Sequence, residues 1–257
     1  MKTEKKYITA LIDEEIFRLL DTDSSLKASL KNCNAVEIRY DLFSDAIAPD
    51  FISEKLFSLF PDKLQIGTIR LKEDGGNFPD VLAKERITLW ERILNQKRTP
   101  QIIDVEFSHL EKIDFIKTLT AKQNTDILLS AHFFTKIPTT QELRILKEKA
   151  LSLHAPGIKI AAMSSNSGDT ETLYHWTKEN AKDFKYFSAF AMGKTGMASR
   201  LLSLHYGANI TYGALKKAAA PGQIPIDIMQ KTVSILKENV TEKDVFDFLN
   251  GFSTDKA

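Results

Sequence analysis

Eight short β-branched or apolar runs, set apart by segments of helical period, constrain this chain more than any other feature. The runs are YITALI (7–12), AVEIRY (35–40), LQIGTI (64–69), QIIDVEF (101–107), DILLSAHF (126–133), GIKIAAM (157–163), YFSAFAM (186–192) and ANITYG (208–213). Between most of them lie amphipathic stretches such as VLAKERITLWERILNQ and TTQELRILKEKALSLH. The second opens with Thr139 and Glu142 at capping-box spacing, which predicts a helix start there. Strand alternating with helix is the signature of βα units on a parallel sheet. Eight units in 257 residues predict a (β/α)8 barrel, the TIM barrel, with residues 1–257 forming one domain. A doubly wound open sheet would call for a glycine-rich turn after the first strand, and this sequence has none there.

The bulk composition narrows the class of partner. Lysine and arginine total 35 against 34 acidic residues, a net charge of +1, so a basic excess for nucleic acid or a membrane surface is missing. The single cysteine, Cys33, can neither form an internal disulfide nor build a zinc site alone, and reads as a small buried apolar residue. The basic start is followed by a short apolar run and then Asp13-Glu14-Glu15, unlike a signal peptide. No stretch approaches the roughly 18 uninterrupted apolar residues of a membrane span. The cytoplasm is the expected compartment.

Barrel enzymes place their functional groups at the C-terminal ends of the strands. The polar residues of the runs fall there. Glu37 and Arg39 lie in the second run, Arg70 follows the third, and Asp104 and Glu106 lie in the fourth. His132 stands at the end of the fifth and Lys159 within the sixth. Residues two apart share a strand face, so Glu37 falls with Arg39 and Asp104 with Glu106. Charges on an interior face are costly unless paired or put to use. Five strands carrying them together mark a site.

Lys159, flanked by Ile158 and Ile160, would be desolvated beside cations such as Arg39 or Arg70, which favours a neutral amine able to attack a carbonyl. The alternative is a structural lysine that reaches solvent or pairs with Glu106. His132, in Ser130-Ala-His-Phe-Phe134, titrates near neutrality and suits general acid–base work. Its alternative is a satisfied core histidine. The other histidines (His109, His154, His175, His205) show no ligand-like spacing. Glu37, Arg39, Arg70 and Arg200 form either a salt-bridge network or a set suited to a polyhydroxylated acid, arginine meeting a carboxylate as a bidentate fork. Gly193-Lys-Thr-Gly196 lacks the full Walker spacing and leads instead to Ser199-Arg200. Gly75-Gly76 and Pro221-Gly222 mark flexible loops where lids are expected.

Taken in order, these pieces resemble a known family. They are Glu37-Ile-Arg-Tyr-Asp41, Thr68-Ile-Arg70 leading to Gly75-Gly76, Asp104-Val-Glu106 and the His132 segment. Lys159-Ile-Ala161, Met192-Gly193 through Ser199-Arg200, and Pro221-Gly-Gln223 continue the series. Together they resemble type I 3-dehydroquinate dehydratases, the Schiff-base enzymes of the shikimate pathway. The resemblance implies that Lys159 forms the Schiff base with 3-dehydroquinate and that His132 is the general acid–base. It implies that Arg200 holds the substrate carboxylate with Gln223 on a closing loop, and that Glu37, Arg39 and Arg70 bind ring hydroxyls. A (β/α)8 barrel, a homodimer, and neither metal nor organic cofactor follow from it too.

Three positions depart from the family pattern. Asp74, with Glu73 beside it, stands where a glutamate is usual, and a shorter carboxylate would orient His132 less closely or through water. Phe133 replaces an Asp or Asn, and Ala219 replaces a loop serine. These departures bear on rate and lid affinity more than on reaction type. Two rival readings remain: a class I aldolase acting on a sugar phosphate, and a binding protein for a quinate-like ligand with little turnover.

Overall fold

The computed structural model describes residues 5–44, 46–82, 85–166, 168–216, 218, 220–235 and 241–253. Eight strands run through it: β1 (Tyr7–Ile12), β2 (Ala35–Arg39), β3 (Leu64–Thr68), β4 (Ile102–Glu106), β5 (Asp126–Phe133), β6 (Gly157–Met163), β7 (Tyr186–Met192) and β8 (Ile210–Gly213). The helices are α1 (Glu14–Leu19), α2 (Ser24–Leu30), α3 (Pro49–Leu59), α4 (Arg86–Leu94) and α5 (Ile113–Gln123). After them come α6 (Thr140–Ser152), α7 (Glu171–Asn180), α8 (Ser199–His205), α9 (Ile226–Ile235) and α10 (Glu242–Ser253). Every ladder is parallel, in the order β7-β6-β5-β4-β3-β2-β1-β8. This is a nearly closed (β/α)8 barrel. The remaining seam lies between β7 and β8, where Asn209 stands in for a ladder. Its backbone N–H donates to the Phe187 carbonyl at 3.0 Å and its side-chain oxygen accepts from the Phe187 N–H at 2.8 Å.

The two faces of each strand divide the core. Ile8, Ile12, Val36, Ile38, Ile103, Val105, Ile127, Leu129, Ile158 and Ile160 form one apolar cluster that extends onto the helices. Ile66, Ile102, Leu128, Tyr186, Phe190, Ile210 and Tyr212 form a second, smaller one inside the barrel. Period-two alternation explains the split, since β-branched residues suit a pleated surface buried on both sides. The polar interior residues therefore sit above an apolar floor. Cys33 is buried, as its surroundings predict.

All eight expected runs are strands, and β1, β5, β6 and β7 match to the residue. The capping box of α6 is formed: the Thr139 hydroxyl accepts from the Glu142 N–H, and the Glu142 carboxylate accepts from the Thr139 N–H at 2.7 Å. The segment VLAKERITLWERILNQ yields a shorter helix than its periodicity suggests, because α4 begins only at Arg86. That arginine is buried against the barrel, donating to the Ile69 carbonyl and to Glu106. Among the described residues, no helix is long and apolar enough to cross a membrane.

Candidate active site

Lys159 stands midway along β6, level with Ser130 on β5 and Ser188 on β7. Its Nζ lies 3.0 Å from Asp104 Oδ2, 3.4 Å from Glu37 Oε1 and 4.2 Å above the centre of the Tyr212 ring. The sequence suggested arginines beside this amine, or Glu106 as its partner. The structure places Arg70 nearby, sharing the Asp104 carboxylate with Lys159, but gives the amine Asp104 and Glu37 as partners in place of Glu106. Arg70 donates to Asp104 at 2.7 Å, to Glu106 at 3.1 Å and to the Ser130 hydroxyl at 2.8 Å. Glu106 is further held by Arg86. Arg39 turns to Asp41 as a bidentate fork at 2.7 and 2.8 Å, not to Glu37, and Glu37 accepts from the Thr68 hydroxyl at 2.9 Å. Burial alone would weaken the charge on Asp104, but Arg70 and Lys159 hold its carboxyl well below the usual carboxylate range. Buried charges tolerate this interior because they are paired.

His132 reaches the same cavity from the end of β5. Burial, reinforced by the positive charges of Arg70 and Lys159, pushes its imidazole down to about 4 against the opposing pull of Asp74 and Asp104. The sequence-based expectation of titration near neutrality gives way to a base that is uncharged well into acid. Its Nδ1 faces Asp74 Oδ1 at 3.6 Å, an electrostatic contact longer than a hydrogen bond. Asp74 Oδ2 accepts from the Ser108 hydroxyl at 2.7 Å. Against the effect of burial, His132, Ser108 and Arg70 keep the Asp74 carboxyl below its ordinary value. Glu73 points elsewhere, half exposed and in contact with His109, so Asp74 is the carboxylate that serves the histidine. Phe134 lies parallel to the imidazole, at 6.2 Å between ring centres.

Arg200 differs from the other buried cations. It is the second residue of α8, is 1% exposed, and has no acidic partner among the described residues. Its donors meet backbone carbonyls: Gly222 at 3.0 Å, Pro221 at 3.3 Å and Tyr212 at 3.5 Å. Its guanidinium lies 4.2 Å from the centre of the Phe190 ring. Burial without a counter-charge pulls its hold on the proton down. A buried arginine with that much uncompensated charge is prepared for an anion. Gln223, in the segment after β8, accepts from the Ala220 N–H at 3.3 Å and lines the same space. Ala219 lies outside the described residues.

One cavity of about 250 Å³ gathers Lys159, His132, Asp74, Glu37, Arg39, Arg70, Arg200 and Gln223, whereas Asp104 and Glu106, also expected from the sequence, do not line it and pair instead with Arg70. Asp104, Ser130, Ser108, Arg86 and Tyr212 also support the site. Their partners lie up to 60 residues away in the chain, beyond the reach of any spacing rule. Asp104 is marked in the sequence by its place in the fourth run, whereas only the inward phase of Ser130 and Tyr212 on their strands hinted at those two. For a cation, Glu73, Asp74 and His109 offer ligand atoms within 4.8 Å of one another, the one such grouping among the described residues.

The chain resembles known proteins over most of its length. A family model for type I 3-dehydroquinase matches residues 18–240. The 3-dehydroquinate dehydratase of Bacillus subtilis (strain 168) is 29% identical over 242 residues, 91% of this chain and 92% of its own. That of Methanococcus maripaludis (strain C7) is 30% identical over 228 residues, 88% and 97% of the two chains. Type I 3-dehydroquinate dehydratase from Clostridium difficile, solved with covalent modified comenic acid, matches with a TM-score of 0.79 and 25% identity, over 94% of this chain and 96% of that one. The 3-dehydroquinate dehydratase of Aquifex aeolicus VF5 gives 0.73 and 26%, over 90% and 99%.

Proposed function

Because the chain belongs to the type I 3-dehydroquinase family, we propose that it dehydrates 3-dehydroquinate to 3-dehydroshikimate through an imine on Lys159, with His132 moving the protons. The observation that carries this reading is the meeting in one small cavity of a lysine, an uncharged histidine and an arginine without a counter-charge. The substrate is a cyclic ketone bearing hydroxyls and one carboxylate. Arg200 takes the carboxylate, with Gln223 closing over it, and Glu37, Arg39 and Arg70 meet the hydroxyls. The ketone is thereby brought to Lys159.

Lys159 first passes a proton to a neighbouring base, and the free amine adds to the carbonyl carbon. Loss of water gives a protonated imine. That cation withdraws electrons, so the C–H bond beside it becomes acidic enough for neutral His132 to break, leaving an enamine. The electron pair then expels the hydroxyl, which leaves as water with the proton His132 carries. Hydrolysis of the remaining imine releases the enone product and restores the amine. Acid–base assistance contributes roughly 10²–10⁴-fold, so most of the acceleration comes from the imine and from positioning. The solved Clostridium difficile relative carries covalent modified comenic acid, which supports covalent chemistry with a small organic acid in this family. The same reading carries a homodimer working in the cytoplasm, with the whole chain as one domain and no metal or organic cofactor.

The test is kinetic. With 3-dehydroquinate, the wild-type chain produces enone absorbance, whereas a sugar phosphate gives no reaction. Lys159→Ala abolishes turnover, and His132→Ala lowers kcat by roughly 10²–10⁴-fold. Near-normal turnover by Lys159→Ala would discard the covalent route. Tight binding of 3-dehydroquinate without enone formation by the wild type would favour a binding protein instead.

A further inference from the structure

Two aromatic rings meet where the barrel ladder stops. Phe190 on β7 and Tyr212 on β8 face each other across the seam, 5.9 Å between centres and tilted by 53°. Both are buried, and each has one of the two distinctive cations of the cavity on its face at 4.2 Å: Lys159 on Tyr212 and Arg200 on Phe190. The two ring faces and the ring–ring contact join the four side chains into one unit, and Arg200 also donates to the Tyr212 backbone carbonyl at 3.5 Å. The Tyr212 hydroxyl makes no hydrogen bond to any described protein group. The ring, then, is the part of Tyr212 engaged with its neighbours.

We propose, on the basis of the Schiff-base reading above, that Tyr212 and Phe190 are positioning residues: a paired aromatic shelf that fixes the Lys159 nitrogen relative to the Arg200 guanidinium. The chemistry explains why a ring suits this task. As an ammonium, Lys159 has three N–H donors and can meet both Asp104 and Glu37. As a protonated imine it has one, and must release at least one carboxylate. A ring face attracts the positive charge itself and needs no N–H, so Tyr212 keeps its hold through the change of bonding. Phe190 does the same for an arginine whose other partners are carbonyls. The separation between nucleophile and carboxylate binder, and with it the size of ring acid accepted, is set by the contact between the two rings.

The roles divide, and the division is measurable. Cation–π contacts correspond to about 5-fold in an equilibrium or rate when exposed and about 30-fold when desolvated, so an effect of about 5- to 30-fold is expected. Tyr212→Leu should lower kcat by about that factor, with KM changing little, and should lower the fraction of chain trapped on Lys159 by borohydride with saturating 3-dehydroquinate. Phe190→Leu should raise KM by a similar factor and largely spare kcat. Tyr212→Phe should recover most of the loss of Tyr212→Leu, because the ring is restored without the hydroxyl. If the leucine variant fails to fold, Tyr212→Met, which fills comparable space without a ring, carries the same comparison. The shelf is overturned if Tyr212→Phe is as impaired as Tyr212→Leu, or if both leucine variants change kcat and KM alike. Trapping in the wild type separates the two levels. An adduct on wild-type Lys159 with an unaffected ringless variant overturns the shelf alone, and no wild-type adduct overturns the Schiff-base reading with it.

Discussion

At the scale of single residues, His132 carries a specific consequence of its burial. An imidazole pushed down to about 4 is fully available as a base at neutral pH, so the acid limb of kcat/KM should fall near pH 4 and not near 6.5. The 3.6 Å gap to Asp74 leaves the imidazolium weakly supported. Asp74→Glu, one methylene longer, should close that gap. A nearer carboxylate favours the charged imidazole, so the acid limb should move upward in pH. An unchanged or lower limb in a pH–rate profile would show that Asp74 does not act on His132. Lys159 and His132 could be read from the sequence because each is an ionisable residue inside an apolar strand. Asp104 could be seen there too, but its partners, 34 residues back and 55 residues ahead, come only with the barrel register.

Among elements, the segments after β7 and β8 do the most for the site. Gly193 and Gly222 both have positive φ, 85° and 73°, and the Gly193 N–H donates to the Pro221 carbonyl at 3.2 Å. A Cβ on Gly222 would come within 2.2 Å of the Gly193 carbonyl oxygen, so the two segments pack backbone to backbone only because residue 222 is glycine. That approach delivers the Pro221 and Gly222 carbonyls to Arg200. Gly222→Ala should therefore displace the segment and loosen Arg200, raising KM for 3-dehydroquinate by roughly fivefold or more with a smaller effect on kcat. Steady-state kinetics decide it, and an unchanged KM would mean that this packing does not position the arginine. The strands were legible because alternation and β-branching report burial locally. The late start of α4 was not, since the burial of Arg86 depends on Glu106, 20 residues further along.

Across the whole molecule, the barrel interior balances its charges before any ligand arrives. Glu37, Asp104 and Glu106 face Arg70, Arg86 and Lys159, and Arg200 is left with backbone carbonyls and no acidic partner among the described residues. The fold bears a cost for this arrangement in acid. His132, Asp74 and Asp104 all hold protons less readily when folded than their ordinary values of 6.5 and 3.8 imply. The unfolded chain consequently binds more protons as pH falls, and stability drops with it. The loss begins near pH 6.5 through His132 and steepens below about 4 as the carboxylates follow. Thermal unfolding should show Tm falling between pH 7 and 5, more in the wild type than in His132→Phe. A Tm that rises over that interval would contradict the buried, uncharged histidine.

The proposed covalent step at Lys159 is tested most directly by mass. Incubating the chain with 3-dehydroquinate and borohydride should add the reduced mass of one bound molecule, and peptide mapping should place it on Lys159 alone. Lys159→Ala should gain nothing. An unmodified wild-type chain that still turns over substrate, or an adduct mapped to another lysine, would contradict the account.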